Sequence, residues 1–144
     1  MFSKSSKYAI RAVLFLAINS DEDRKIGVDE LANKLVVPKH FLAKILQQLT
    51  KNKLISSTKG RHGGFYLNQE NRSQNLISII QSFDGKGVFT DCILGLDQCS
   101  NENPCPYHDS VQKFRGKFYH QLQKETLEQT AKRVNKLNLK LNNK

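Results

Sequence analysis

The sequence has no long apolar run. Its longest uninterrupted apolar stretch covers residues 12–18, seven positions, whereas a membrane-spanning helix needs about 20 residues. The N-terminal stretch is also unlike a secretory signal, because Arg11 interrupts its apolar part and no small-residue cleavage site follows. These absences predict a cytoplasmic protein without a membrane-spanning segment.

Cysteines and acidic residues are both scarce. Three cysteines are an odd number and cytosolic thiols stay mostly reduced, which argues against a disulfide framework. The 13 acidic residues face 23 Lys and Arg residues, for a formal net charge of +10. Residues 1–75 and 111–144 each carry +7, whereas residues 76–110 carry −4 and contain all three cysteines. Such basic segments indicate a nucleic-acid partner ahead of an anionic membrane, with an uncommitted solvated surface as the alternative.

Catalytic patterns are absent as well. The sequence contains no recognisable serine or cysteine catalytic triad, phosphate-binding glycine loop or pair of catalytic carboxylates. We therefore expect neither an enzyme nor a small-molecule substrate. The 144 residues correspond to one domain with an appended arm.

The hydrophobic periodicity predicts a mainly α-helical fold with one small β-hairpin. Apolar residues recur at helical spacing in four segments, and two short apolar runs flank a linker rich in glycine and basic residues. The predicted elements are helices over residues 5–19, 27–35, 38–51 and 75–83, and strands over residues 54–58 and 64–68. Asn52 is expected to end the third helix, because Asn adopts the left-handed conformation more readily than Lys53.

The second half of the chain is expected to be less regular. Residues 84–103 contain several glycines and short polar residues, and they predict an irregular loop. A long helix is expected from about Tyr107, ending in a frayed Asn- and Lys-rich segment over residues 135–144. We therefore divide the chain into a domain over residues 1–83, a cysteine-containing loop over residues 84–106, and a helix and tail over residues 107–144.

The order of elements in residues 1–83 is that of a winged helix-turn-helix domain. In such a domain the polar face of the third helix reads the major groove of DNA, and the hairpin tip reaches the adjacent minor groove or its phosphates. Ordinary solvated helix surface is the alternative interpretation of this polar face. The expected DNA-binding residues are Lys39, His40, Lys44, Gln47, Gln48 and Lys51 on the helix and Lys59, Arg61 and His62 on the hairpin.

The acidic segment contains a candidate set of metal ligands with the spacing C-x6-C-x5-C-x2-H. These residues are Cys92, Cys99, Cys105 and His108. Three thiolates and one imidazole can complete one metal centre, and soft thiolate ligands favour an iron–sulfur cluster or zinc. Structural zinc sites usually contain a tight C-x2-C pair, so the wide spacing found here suits a larger cluster somewhat better. The alternatives are three unrelated thiols and, for His108, a helix cap or a surface residue.

One apolar stripe runs along the predicted C-terminal helix. It consists of Val111, Phe114, Phe118 and Leu122, which lie on one side of a helix. The spacing alone allows either an intrachain core or an interface with another subunit.

These features together resemble the Rrf2 family of winged-helix regulators, in its IscR and NsrR type. Residues 6–12 (SKYAIRA) match the N-terminal signature of the family. Residues 59–67 (KGRHGGFYL) match its wing pattern R-G-x-x-G-G-Y/F-x-L. Three cysteines then precede a long C-terminal helix, so the resemblance extends over nearly the whole chain.

The resemblance implies a homodimeric transcription regulator that binds a double-stranded DNA operator and no membrane. It makes the stripe of Val111, Phe114, Phe118 and Leu122 the dimer interface. It also implies that the three cysteines and His108 hold an iron–sulfur cluster, 2Fe–2S in preference to 4Fe–4S, which senses iron–sulfur supply, redox state or nitric oxide. A structural zinc ion, a metal-free thiol switch and a non-regulatory nucleic-acid module remain as alternatives.

The sequence departs from the family pattern at four places. The first gap between cysteines has six residues, where five is usual. Lys59 stands where the wing arginine is usual, and Lys53 stands where glycine is common after the third helix. Lys7 occupies the position of an aspartate that some members contribute as a ligand from the partner's first helix. Because lysine cannot replace that ligand, the pattern favours His108 as the fourth one.

Overall fold

The computed structural model describes residues 1–142. Most of the described chain is helical, and a single short hairpin lies between the third and fourth helices. The elements are α1 (Lys4–Asn19), α2 (Val28–Leu35), α3 (Lys39–Lys51), β1 (Ser56–Thr58), β2 (Gly64–Tyr66), α4 (Gln69–Ser73), α5 (Leu76–Asp84), a 3-10 helix (Lys86–Phe89), α6 (His108–Gln123) and α7 (Leu127–Lys136). The prediction of a mainly α-helical fold with a small hairpin is confirmed.

Helices α2 and α3 are joined by a tight turn. Asp29 and Glu30 lie in the first turn of α2, where the helix dipole favours negative charge. Val36 ends α2 in the left-handed conformation, with φ of +54°, and Pro38 precedes the first residue of α3. Because proline fixes its own φ and lacks an N–H, it suits a position at which the preceding helix has stopped and the next begins.

Helix α3 ends at Asn52 as predicted, but the left-handed conformation occurs one residue later. Asn52 has an ordinary φ of −86°, and Lys53 is the residue in the left-handed region, with φ of +59°. The carbonyl of Lys53 accepts hydrogen bonds from the side chains of Asn71 and Gln74, so neighbouring residues hold this conformation. Tertiary contacts therefore override the local preference of Asn over Lys.

The hairpin is a two-stranded antiparallel ribbon whose strands are shorter than predicted. Ser57 pairs with Phe65, and an isolated bridge joins Ile26 to Phe65 on the other edge. Gly64, with φ of +147°, passes so close to Ile26 that an added Cβ would lie 2.9 Å from the backbone of that residue. A Cβ on Gly63 would lie 2.3 Å from the carbonyl oxygen of Thr58. Both glycines are therefore required by close backbone approach.

The C-terminal half of the chain turns back on the first helix. The chain does not continue as one helix: α6 ends at Gln123, and a capping box between Thr126 and Gln129 starts α7. Leu127 and Ala131 of α7 are buried, and Leu127 belongs to the main core beside α1. The end expected to fray, residues 135–144, is helical only to Lys136, and residues 137–142 form no regular element, although Leu141 packs against the same core. Residues 143–144 lie outside the described residues.

Two groups of buried side chains organise the molecule. The larger one surrounds α1 and includes residues of α2, α3 and α7. The smaller one consists of Ile77, Ile80 and Phe89, against which side chains of α6 pack. The smaller group includes Phe89 of the 3-10 helix, which lies within the segment predicted to be irregular. Packing in this group fixes α6 to α5. No helix within residues 1–142 is long and apolar enough to cross a membrane.

Candidate metal centre and nucleic-acid interface

The three cysteines converge in the loop between the 3-10 helix and α6. Their Sγ atoms all lie within 4.8 Å of one another, and the Sγ atoms of Cys92 and Cys105 are 3.7 Å apart. All three thiols are free and half-buried. Cysteines separated by six and five intervening residues thus meet at one point, which is the arrangement that a single metal centre requires.

Short backbone turns bring the cysteines together. The N–H of Gly95 donates to the carbonyl of Cys92 at 3.0 Å, and the N–H of Cys99 donates to the carbonyl of Leu96 at 3.1 Å. Gly95 has φ of +71°, a conformation that glycine adopts without strain. The N–H of Cys105 points at the Sγ of Cys99, at 3.4 Å. The loop therefore folds around its own sulfur atoms.

His108 reaches the same point from the first turn of α6. Its Nδ1 lies 3.2 Å from the Sγ of Cys99, and its Nε2 lies 2.9 Å from Oδ1 of Asn101. Since an amide oxygen only accepts, Nε2 donates to it, and in the neutral ring the lone pair of Nδ1 then faces Cys99. Histidine ligands of metals usually donate their other ring N–H in this way, which fixes the tautomer and ring orientation.

The surroundings affect the thiols differently. Hydrogen bonding from the backbone of Leu96 has the largest effect on Cys92. It lowers the pKa of this thiol to about 7, although desolvation acts in the opposite direction. A backbone hydrogen bond from Cys105 also acts to lower the pKa of Cys99. Desolvation, side-chain hydrogen bonds with Cys105 and Cys92, and repulsion by Cys105 outweigh it, so the pKa of Cys99 is raised. Cys92 is therefore the thiol with the lowered pKa, and the Sγ atoms of Cys99 and Cys105 lie within 4.8 Å of its own.

The donor set fits an iron–sulfur cluster or a zinc ion. Three sulfur atoms and one ring nitrogen form a soft, four-ligand set, as both centres require. The group of close ligand atoms found within residues 1–142 consists of the three Sγ atoms, and His108 joins it through its contact with Cys99, whereas His40, His62 and His120 lie outside it.

The predicted nucleic-acid face of α3 is largely exposed. His40, Lys44, Gln47 and Lys51 are open to solvent, whereas the apolar face of α3 is buried in the main core. Lys39 is also exposed, and its Nζ forms an ion pair with Asp29 of α2 at 2.7 Å. The polar residues expected to contact DNA therefore remain accessible on the outer side of the helix.

Gln48 is the exception on α3. It is half-buried, and its Nε2 donates to the carbonyl of Ser82 in α5 at 2.5 Å. Asn52 donates to the Oγ of the same serine at 2.5 Å. This side chain therefore joins α3 to α5, because it projects from a different side of the helix than Gln47, and its predicted DNA contact stays a prediction.

The hairpin tip presents the other predicted basic residues. Lys59, Arg61 and His62 are all exposed, and the N–H of Gly63 closes the tip on the carbonyl of Gly60 at 3.0 Å. The tip and the outer side of α3 both carry exposed basic residues, which the phosphates of nucleic acid attract.

Comparison of the sequence with known families gives one match that spans most of the chain. Residues 2–133 match the Rrf2 family, described as iron-dependent transcriptional regulators. The chain belongs to the Rrf2 family. This confirms the family resemblance, and because Rrf2 members are transcriptional regulators, it also confirms that the protein is not an enzyme.

Several Rrf2 relatives are similar over most of their length. An HTH-type transcriptional regulator of Aquifex aeolicus is 32% identical over 120 residues, which cover 82% of each chain. The regulator NsrR of Oceanobacillus iheyensis is 26% identical, with 93% of this chain and 91% of the relative covered. The Rrf2 match and these relatives make the protein a DNA-binding transcriptional regulator.

Solved structures of Rrf2 regulators share the fold. CymR of Bacillus subtilis superposes with a TM-score of 0.72 at 20% identity, covering 92% of this chain and 96% of that one. T. potens IscR superposes with a TM-score of 0.70 at 19% identity, covering 93% and 88%. At this identity the likeness establishes the winged-helix fold.

The apolar stripe of this Rrf2 chain is divided between core and surface. Phe118 and Leu122 pack against the smaller buried group, whereas Phe114 is 61% exposed and Val111 is half-buried. The ring of Phe114 stacks on Phe118 with centroids 6.3 Å apart. The stripe therefore continues from the intrachain core onto open surface.

Sequence reasoning missed Arg115 of α6. This residue is only 8% exposed, and it lines a small cavity shared with the three cysteines and His108. Its Nη1 donates to the carbonyl of Asp91, the residue before Cys92. The signal in the sequence was its spacing, because a residue seven positions after His108 lies on the same side of a helix.

Proposed function

We propose that this Rrf2 regulator is a cytoplasmic homodimer whose Cys92, Cys99, Cys105 and His108 hold an iron–sulfur cluster, 2Fe–2S in preference to 4Fe–4S. The cluster state controls binding to a double-stranded DNA operator in response to iron–sulfur supply, redox state or nitric oxide. The observation that carries this proposal is the convergence of three Sγ atoms within 4.8 Å, with Nδ1 of His108 at 3.2 Å from the Sγ of Cys99. The chemistry that a bound cluster supplies is a change of charge and of ligand bonding with redox state.

The DNA-binding surface is assigned to α3 and the hairpin tip. We assign base contacts in the major groove to Gln47, since its amide pairs with the edge of adenine, and phosphate contacts to Lys44 and Arg61. Among the remaining predicted contacts, Lys39, Lys51 and Lys59 add positive charge, and His40 and His62 add hydrogen-bonding groups. This assignment is supported by the exposure of all eight side chains.

The dimer is assigned to the exposed part of the apolar stripe. Phe114 offers a large exposed ring to a partner, and the half-buried Val111, Phe118 and Leu122 extend the proposed interface along α6. A dimer of helix-turn-helix subunits reads two half-sites about 34–36 Å apart, or a multiple of that distance. A small change in the angle of α6 therefore alters how well both recognition helices fit.

A continuous series of contacts joins the cysteine loop to α3. Cys92 follows the 3-10 helix, which packs against α5 together with α6. Ser82 of α5 accepts hydrogen bonds from both Gln48 and Asn52 of α3. Ordering the loop with metal bound thus restrains α6 and α5, and α5 positions the recognition helix.

Cys92→Ala tests the proposal. Wild-type protein and the variant are purified without oxygen, iron and acid-labile sulfide are measured, and affinity is measured for a DNA duplex selected from a random library with wild-type protein. We expect the variant to lose the cluster and to bind the selected duplex with altered affinity. Ile93→Ala, a change at an exposed neighbouring residue, is the matched control. A Cys92→Ala protein with unchanged iron content and unchanged DNA affinity contradicts the proposal.

A metal-free thiol switch is the second candidate, favoured by the 3.7 Å separation of the Cys92 and Cys105 Sγ atoms. In this reaction hydrogen peroxide takes two electrons and two protons from the two thiols, so that a Cys92–Cys105 disulfide and two water molecules form. The switch predicts that wild-type protein purified without oxygen contains no metal. It also predicts that alkylation of the thiols abolishes the effect of peroxide on DNA binding.

A further inference from the structure

Arg115 is a buried cation with an incomplete set of partners. One of its nitrogens, Nη1, donates to the carbonyl of Asp91, whereas Nε is buried and has no hydrogen-bond partner within residues 1–142. An unpaired buried donor is costly, and a buried charge more so, unless an anion lies nearby. The position of Arg115 therefore needs an anionic neighbour.

The nearby carboxylates do not supply that neighbour. Asp84 and Asp91 line an outer pocket together with Arg115, but no ion pair joins Arg115 to any carboxylate among the described residues. Asp84 instead accepts a hydrogen bond from the N–H of Ser3 at 3.0 Å. The carboxylate of Asp91 lies against Gly87, where an added Cβ would meet its Oδ2.

The cysteine site can supply the negative charge. Arg115 lines one cavity together with Cys92, Cys99, Cys105 and His108. Cysteines bind metals as thiolates, so a filled site brings three negative charges into this cavity. With a divalent ion and a neutral imidazole the site keeps one net negative charge, which one guanidinium balances.

We propose that Arg115 is the counter-charge of the cysteine site: its buried guanidinium stabilises the thiolate set and anchors the loop beside Cys92. This inference rests on the metal-binding part of the proposed function, but not on which metal centre is native. Arg115 acts as a positioning residue, because it touches the loop backbone and shares the cavity without being a ligand. The expected consequence is that metal affinity depends on a positive charge at position 115.

Cobalt(II) chloride added to the metal-free protein under reducing, oxygen-free conditions is the probe. Thiolate-to-cobalt absorption reports binding, and competition with a chelator gives the affinity. Arg115→Met removes the charge at similar volume, and replacing a buried charge by an apolar side chain often preserves folding. Arg115→Lys keeps the charge. Lys113→Gln is the matched control, because it removes one charge from an exposed position of the same helix.

We expect Arg115→Met to weaken cobalt binding by about 10–100-fold, as loss of an outer partner of a metal site usually does. Arg115→Lys should recover most of that loss, and Lys113→Gln should bind cobalt like the wild type. Circular dichroism checks folding, and Arg115→Gln replaces the Met variant if that one does not fold. The inference is overturned if Arg115→Met, or Arg115→Gln in its place, binds cobalt with wild-type affinity. It is also overturned if Arg115→Lys binds cobalt as weakly as the variant without the charge.

The two proposals fail separately in this experiment. A wild-type protein that binds cobalt through its thiolates, yet contains no iron when purified without oxygen, refutes the iron–sulfur assignment and leaves the role of Arg115 standing. Iron-containing wild-type protein together with an Arg115→Met variant of unchanged cobalt affinity refutes only the role of Arg115.

Discussion

Nδ1 of His108 faces the Sγ of Cys99 at 3.2 Å across the start of α6. This relationship joins the middle of the cysteine loop to the helix that carries the apolar stripe. A metal held by both residues therefore restrains the loop and α6 together. Among the hydrogen bonds of residues 1–142, His108 is the histidine whose ring nitrogen contacts a cysteine Sγ.

Asn101 is expected to control how His108 binds metal. Its Oδ1 accepts from Nε2 of His108 at 2.9 Å and so directs Nδ1 toward the sulfur atoms. Asn101→Ala should weaken metal binding by about 10–100-fold, while Asn101→Asp, which keeps an acceptor, should retain it. Chelator competition with zinc measures the effect, and Asn135→Ala on the exposed side of α7 is the control. Equal affinities in the Ala and Asp variants would show that the hydrogen bond has no such role.

Gln47 and Gln48 are adjacent residues for which we expect opposite effects. Gln47→Ala should lose about 1–3 kcal/mol of discrimination at one base pair of the selected duplex, since a bidentate amide–base contact has that magnitude. Gln48→Ala should keep the sequence preference and lower thermal stability, because it removes the hydrogen bond to Ser82. Binding to a set of single-base variants of the duplex, together with thermal unfolding, distinguishes the two. Loss of base preference in Gln48→Ala contradicts the placement of that side chain.

Salt dependence tests the phosphate contacts assigned to Lys44 and Arg61. If the dimer neutralises about 6–10 phosphates, DNA affinity should fall roughly 10³–10⁵-fold between 50 and 200 mM salt. Lys44→Ala or Arg61→Ala should reduce the slope of log affinity against log salt by about 1 for each phosphate that is no longer neutralised. Lys132→Ala, at an exposed position of α7, is the control. A slope unchanged by either substitution removes that residue from the DNA surface.

Ionisation of Asp84 makes the free energy of unfolding depend on pH in acidic solution. Desolvation acts to raise its pKa, but hydrogen bonds from the side chain and backbone of Ser3, with smaller contributions from Ser6 and the N-terminal amine, hold the pKa below the ordinary value of 3.8. The ionised carboxylate therefore stabilises the folded state above pH 3.8, and this contribution is lost as pH falls through the lowered pKa. Denaturant unfolding of wild type and Asp84→Asn should differ at neutral pH and converge in acid. A difference that stays constant down to low pH contradicts this role of Asp84.

The sequence predicts the helix-turn-helix and the wing well, because those elements follow from local patterns. Apolar spacing identifies α3, and the glycines at positions 63 and 64 stand where the backbone passes too close for a Cβ. The C-terminal half is predicted less well, although Thr126 and Gln129 form a capping box that is readable as a helix start. The return of α7 to α1 depends on the burial of Leu127, a long-range contact that periodicity cannot report.

The residues of the candidate metal site can also be predicted only in part from the sequence. The spacing of the cysteines and His108 identifies the ligand set, since each of these residue types has a known affinity for metals. It does not identify Arg115, whose importance depends on burial and on a missing partner for Nε. The sequence also does not distinguish the role of Gln47 from that of Gln48, because the contact of Gln48 with Ser82 depends on where α5 packs.

Metal analysis of wild-type protein purified without oxygen decides whether the cysteine site holds an iron–sulfur cluster. Visible absorption is recorded, and iron, acid-labile sulfide and zinc are quantified on the same sample. We expect a coloured protein with iron and sulfide in near-equal amounts. Cys105→Ala should lose both, and His120→Ala should keep both. Colourless protein, containing either stoichiometric zinc or no metal, contradicts the iron–sulfur assignment.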